Sequence, residues 1–267
     1  MQLASLKPLC LTLLGMVCFI APEVRSDDSI LTDLNGDGTI TYLAFGDSLT
    51  YGVGDGRTPG DYVEAVDVPP VASGYVSRLS TLLGVPTLNG GIPGEELVTQ
   101  GVDRFPTLLA GSSADIVGIF EGTNDSISRV SRDVYRKNIQ RLINVSVALG
   151  KLPILFTLAT PCCLHAGREP FTQSYSAEIR ELAITNDLQF VDLERAWEST
   201  CESRSQCSLF NLPEGLHPNR VGYDGMAQVV AASLLGIDIF TDGGPAALES
   251  ALGLDPGTVV IKAEVAQ

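Results

Sequence analysis

Two histidines are all that this 267-residue chain contains, alongside one tryptophan and three methionines. With so little imidazole, and with no Cys-x-x-Cys pair among its six cysteines, a cysteine–histidine zinc site has almost no raw material. Basic residues are scarce too: 17 Lys and Arg stand against 32 Asp and Glu, a formal charge of −15. Such a field repels phosphate backbones and anionic lipid faces, and the basic residues are too scattered to build a compensating patch, so no nucleic acid partner is expected. Beyond residue 26 every apolar run is broken by charge, Pro or Gly within about a dozen residues, too short to span a bilayer. Internal repeats and linker-like stretches are missing as well, so the length reads as one large domain able to bury its core without staples.

The first 26 residues stand apart. Lys7 precedes an apolar run from Leu9 to Ala21, and Val24 and Ser26 follow at the spacing signal peptidase prefers, so residues 1–26 read as a secretory signal. The run is shorter than the ~20 residues of a membrane span and Pro22 closes it, which argues against an anchor. The mature chain is expected to be secreted or periplasmic, with no integral membrane association. Of the four cysteines beyond the signal, Cys201 and Cys207 can close the polar ESRSQ loop as a local bridge in an oxidising compartment. Cys162 and Cys163 are adjacent; they can bond each other through a strained link, find other partners or stay buried as thiols.

Residues 27–39 form a polar lead in which Asp33, Asn35, Asp37 and Thr39 alternate as in the first half of a calcium loop. Position twelve of such a loop falls on Ala44, so a turn into the first strand is expected rather than a cation site. From Ile40 onward compact apolar runs alternate with helix-length amphipathic ones. Strands are expected at 40–46, 85–90, 115–122, 152–160 and 188–193, and helices at 74–84, 98–111, 131–150, 175–187 and 220–236. The strand runs are continuously apolar, which suits a parallel sheet covered on both faces, and the alternation implies right-handed βαβ units. The fold class is therefore α/β, a three-layer α/β/α sandwich with a central parallel sheet of about five strands. A domain over 40–236 and an extension over 237–267, packed on it or trailing from it, complete the organisation.

Chemistry concentrates where strands stop. GDSLTYG (46–52) presents Ser48 directly after the first strand, at a turn into a helix, where its hydroxyl can enter a crevice and nearby N–H groups can face developing negative charge. By itself GDS is weak, because a serine capping a helix would read the same way. NGGIPG (89–94), GTND (122–125) and LHPN (216–219) follow in order at the ends of later elements. A serine hydroxyl needs a neighbouring base to become a nucleophile, and of the two histidines His217, stiffened by Pro218, is the better placed by sequence. His165, in the polar stretch CCLHAGREP, reads as a loop residue that can line the crevice. Asp47, Thr123, Asp125 and Asn89 adjoin the key positions and are expected to brace loops.

The ordered set GDSLTYG, NGGIPG, GTND and EGLHPN resembles the SGNH hydrolase superfamily, the GDSL-type esterases and lipases, over about residues 40–236. The resemblance implies a flavodoxin-like strand order. It also implies Ser48 as nucleophile and first oxyanion donor, with Gly91 as the second through its N–H and the Asn124 amide as the third. His217 would be the base. Where that superfamily has an aspartate three residues before the histidine, this chain has Glu214, with Asp224 as a fallback. No metal or organic cofactor is called for. The expected activity is hydrolysis of small carboxylic esters, short-chain acyl or aryl. The alternatives are carbohydrate O-deacetylation, lysophospholipase or thioesterase action, and a binding protein that has lost turnover. Tyr62, Val66, Val68 and Val71, in the long loop 54–75, can wall an acyl or aryl group.

Overall fold

A computed structural model describes residues 29–56, 74–201, 203 and 205–262. The proposed signal, residues 1–26, and the proposed apolar wall of Tyr62, Val66, Val68 and Val71 lie outside these. Five strands form one sheet in the order β2-β1-β3-β4-β5: β1 (Tyr42–Gly46), β2 (Thr87–Gly91), β3 (Ile116–Phe120), β4 (Leu152–Phe156) and β5 (Phe190–Val191). Every pairing is parallel. The expected α/β/α sandwich with flavodoxin-like order is therefore what the chain forms.

β1 and β3 are buried along their whole lengths, as continuously apolar sequence requires of strands covered on both faces, whereas edge strand β2 is partly exposed. The helices are α1 (Ser48–Tyr51), α2 (Gly74–Leu83), α3 (Val102–Ala110), α4 (Thr123–Ile127), α5 (Arg132–Ala148), α6 (Glu169–Thr185), α7 (Leu193–Thr200), α8 (Arg220–Leu234) and α9 (Gly244–Leu252). A π turn, Leu97–Gly101, leads into α3, and a 3-10 turn, Cys163–Arg168, leads into α6. Aromatic rings knit the layers: Phe45 meets Phe105 edge-on at 4.8 Å and Phe120 stacks on Phe156 at 5.1 Å. Each such side chain contributes about 1.5–3 kcal/mol by leaving water.

The polar lead needs no cation to explain its alternating pattern. Asp33 accepts from the N–H groups of Gly36 and Gly38 at 2.7 and 2.8 Å, Asn35 from Asp37 at 2.8 Å, and Asp37 from Thr39 at 2.9 Å. Buried Asp115, just ahead of β3, then pins the lead by accepting from Leu34, Asn35 and Thr41. At the other end the chain beyond residue 236 makes α9 and then docks on α8, with the Val260 N–H on the Gln228 side chain and Ile261 buried.

Both pairs of neighbouring cysteines are bridged, Cys201 to Cys207 as expected and Cys162 to Cys163 with each other. Among the described residues no helix is long and apolar enough to cross a membrane.

The strand order reverses between β1 and β3, and in a sheet of this kind the crevice opens beyond the carboxyl ends of strands at that point. The segments leaving β1 and β3 carry Ser48 and Asn124.

Candidate active site

Ser48 is the first residue of α1, two residues beyond the end of β1. Asp47 caps that short helix, its side chain accepting from the Leu49 N–H at 2.9 Å, which holds the turn tight and leaves the serine at its apex. The opposite wall of the crevice is the loop that enters α8. Asn219 caps α8 by accepting from the N–H groups of Val221 and Gly222, and its amide donates to the carbonyls of Ser208 and Phe210. Buried Asn211 places its amide within reach of the carbonyls of Gly54, His217 and Pro218, at 3.2, 3.1 and 3.0 Å. Those contacts aim His217 at Ser48.

The side chains meet in a line. His217 Nε2 lies 3.0 Å from Ser48 Oγ, and His217 Nδ1 lies 2.9 Å from Glu214 Oε1. A carboxylate only accepts, so Nδ1 carries the proton and Nε2 is free to take the one on Ser48. The other oxygen of Glu214 accepts from the backbone N–H groups of Leu216 and His217 at 2.9 and 2.8 Å. Burial raises the Glu214 carboxyl, but the His217 ring and those two N–H groups outweigh it and hold the group below its ordinary range. Glutamate thus reaches the imidazole directly. Asp224, the fallback, lies in α8 and is paired with Arg78, which also grips Asp55 at 2.6 Å.

The remaining expected residues divide. Asn124, in α4, donates from Nδ2 to the Glu95 carbonyl at 2.8 Å and lies 3.4 Å from Asp47 Oδ2, so one amide proton is loosely held. Gly91 ends β2, and its N–H donates to the Asn89 side chain at 3.0 Å, which takes up the donor that the sequence reading assigned to an oxyanion. Its lack of a side chain has another cause: a Cβ there would come within 2.3 Å of the Tyr51 nitrogen and 2.8 Å of the Asp47 carbonyl oxygen. Gly91 is the space into which the nucleophile turn packs. Three residues on, Gly94 precedes the Glu95 carbonyl that Asn124 holds. Neither its N–H nor that of Ser48 makes a hydrogen bond with another described residue. The motif NGGIPG contained Gly94, but spacing alone did not separate it from Gly91.

Asn89 and Asp125 brace loops as expected. Asn89 donates to the Thr50 carbonyl at 3.0 Å, tying β2 to α1, and Asp125 accepts from the N–H groups of Leu97 and Val98 at 2.8 and 3.1 Å. Beneath the nucleophile lies a layer of buried acids. Burial pushes the Asp47 carboxyl up to about 7 against the pull of the Leu49 N–H and His217. Burial, and the nearby Asp47 and Glu95 carboxylates, drive Glu121 well above its usual range. Despite this density of acids, no group of three or more His, Cys, Asp or Glu among the described residues is placed to hold a metal ion.

Residues 44–224 match the GDSL-like Lipase/Acylhydrolase family, a span that holds Ser48, Asn124, Glu214 and His217. The chain belongs to that family. Its fold is shared by solved structures of low identity. A lipase/acylhydrolase from Enterococcus faecalis is 22% identical, with a TM-score of 0.56 over 74% of this chain and 96% of that one. A member of the lipolytic protein G-D-S-L family from Veillonella parvula DSM 2008 is 16% identical, with a TM-score of 0.54 over 72% and 96%. An acetyl xylan esterase from Geobacillus stearothermophilus is 20% identical, with a TM-score of 0.53 over 73% and 94%. No curated protein matches the chain.

Proposed function

We propose that this GDSL-family hydrolase cleaves small carboxylic esters through an acyl intermediate on Ser48. The observation that carries the reading is the hydrogen-bonded line from Ser48 through His217 to Glu214, at 3.0 and 2.9 Å. As Ser48 Oγ attacks the ester carbonyl, its proton passes to His217 Nε2, and Glu214 stabilises the imidazolium that forms. The carbonyl oxygen becomes an oxyanion. Its donors are the Ser48 and Gly94 N–H groups and the second amide proton of Asn124, each worth a few kcal/mol (about 3) to the transition state. Protonated His217 hands its proton to the leaving alcohol, the acyl–oxygen bond breaks, and water repeats the cycle to release the acid. Every proton in this scheme is moved by the chain's own groups. The two disulfides fit a secreted or periplasmic place of work.

The test is turnover of p-nitrophenyl acetate by the purified chain, repeated in EDTA and with Ser48→Ala. Hydrolysis that survives EDTA and is lost on substitution supports the reading; an inert chain, or a fully active S48A, contradicts it. A panel of acyl esters, acetylated sugars, lysophospholipids and thioesters run in parallel sorts the substrate class. Highest kcat/KM on short acyl or aryl esters is the expected result.

A further inference from the structure

We propose that His165, the second of the chain's two histidines, is a positioning residue that holds Glu214 in line with His217. The inference rests on the functional reading above and deepens it.

The segment Cys162–His165 runs along the loop that bears the acid, and three successive carbonyls of that loop accept from it. The Leu164 N–H donates to Pro213 at 3.1 Å, the His165 ring Nδ1 to Glu214 at 2.7 Å, and the Cys162 N–H to Gly215 at 2.9 Å. The middle contact, on the acid itself, is the one made by a side chain. Because a carbonyl only accepts, the His165 Nδ1 carries a proton. That same nitrogen lies 3.7 Å from Glu214 Oε1, the oxygen bonded to His217. One N–H thus faces both the carbonyl and the carboxylate of a single residue, and its dipole favours the ionised carboxylate where His217 needs it.

The contact is direct. A Cβ on Gly215, whose φ is +75°, would come within 2.4 Å of the Cys162 carbonyl oxygen, so loop and segment touch backbone to backbone. Cys162 is buried, and its bond to Cys163 closes a small ring that restrains the platform. A glutamate has one more side-chain torsion to fix than an aspartate, and its carboxylate is steady only if both ends are held. Leu216 and His217 hold the far oxygen through their N–H groups, while His165 holds the root and Cys162 holds the carbonyl of the next residue, Gly215. One histidine is the base and the other braces the acid that orients it.

Asparagine presents an amide N–H where the histidine Nδ1 sits, and glutamine presents one where Nε2 sits. On p-nitrophenyl acetate, His165→Ala is expected to lower kcat about 10- to 100-fold, the scale of an ångström's misplacement, with KM within about twofold of wild type. His165→Asn should recover most of the loss and His165→Gln little of it. In a Glu214→Ala background, His165→Ala should cost nothing further. The proposal is overturned by wild-type kcat in H165A, by equal rates in H165N and H165Q, or by losses from E214A and H165A that multiply in full. The comparison of H165N with H165Q decides the matter if H165A does not fold. A wild-type chain inert to esters overturns the esterase reading and this inference with it; an active wild type with an indifferent H165A overturns this inference alone.

Discussion

Shortening Glu214 to aspartate withdraws its carboxylate by about one carbon–carbon bond, ~1.5 Å, while His165 and Cys162 keep the loop backbone in place. The contact with His217 Nδ1, now 2.9 Å, would open beyond hydrogen-bond range. A charge-assisted bond of this kind contributes about 1.5–3 kcal/mol, and most of it is felt when the imidazole becomes charged in the transition state. Glu214→Asp should therefore lower kcat about 10- to 150-fold with little change in KM. Glu214→Gln should be worse. Its amide oxygen can still accept from Leu216 and His217, which turns the NH2 toward Nδ1 and forces the ring proton onto Nε2, the nitrogen that must accept from Ser48. By analogy with other serine triads the loss approaches about 10⁴-fold. Steady-state kinetics on p-nitrophenyl acetate, with thermal unfolding to confirm the fold, measure both. An E214D enzyme as fast as wild type would refute the reasoning, because it would mean that His217 is oriented by something other than this carboxylate.

Other substitutions test neighbouring parts of the site. Asn124→Ala removes a proposed oxyanion donor and should cut kcat about 100-fold or more while sparing KM, read in the same assay. Gly91→Ala drives a methyl into the nucleophile turn and should lower stability by about 1–3 kcal/mol, seen as an earlier denaturant midpoint; an unchanged midpoint would show that the turn has room. Asp47→Asn probes the buried acid. A carboxyl raised to about 7 in the folded chain stabilises it most below the unfolded pKa, and that contribution fades as pH rises through 7. D47N should thus gain on wild type by about 3 kcal/mol between pH 5 and pH 8. Denaturant titrations at the two pH values measure the gain, and a difference that does not change with pH would contradict the account.

The central strands could be read from sequence because β1, β3 and β4 are short apolar runs that burial on both faces demands. Their ends were less legible. The run 188–193 reads as one strand, yet only Phe190 and Val191 pair; Asp192 instead accepts from the Arg195 N–H and starts α7, a helix that the apolar pattern concealed. Helix α6 starts at Glu169, six residues before its expected beginning, because the 3-10 turn from Cys163 feeds straight into it. Ser48, His217 and Glu214, which the fold brings within hydrogen-bond reach of one another, were named from the order of four short motifs and the family they resemble, since GDS alone would also read as a helix cap. Gly91 and Gly94 share one motif, and only the Asn89 side chain on the Gly91 N–H distinguishes them. The contact of His165 with Glu214 spans 49 residues and depends on two loops meeting, which no local spacing reports.

The central claim is that the Ser48 hydroxyl, deprotonated by His217, is the atom that bonds to the substrate carbonyl. Its most direct test is labelling with a fluorophosphonate, followed by peptide mass analysis of wild type and of His217→Ala. The account predicts one phosphonyl group per chain on the peptide containing Ser48, formed rapidly in wild type and slowed by several orders of magnitude in H217A. Labelling at another residue, or labelling of Ser48 at an unchanged rate in H217A, would contradict it.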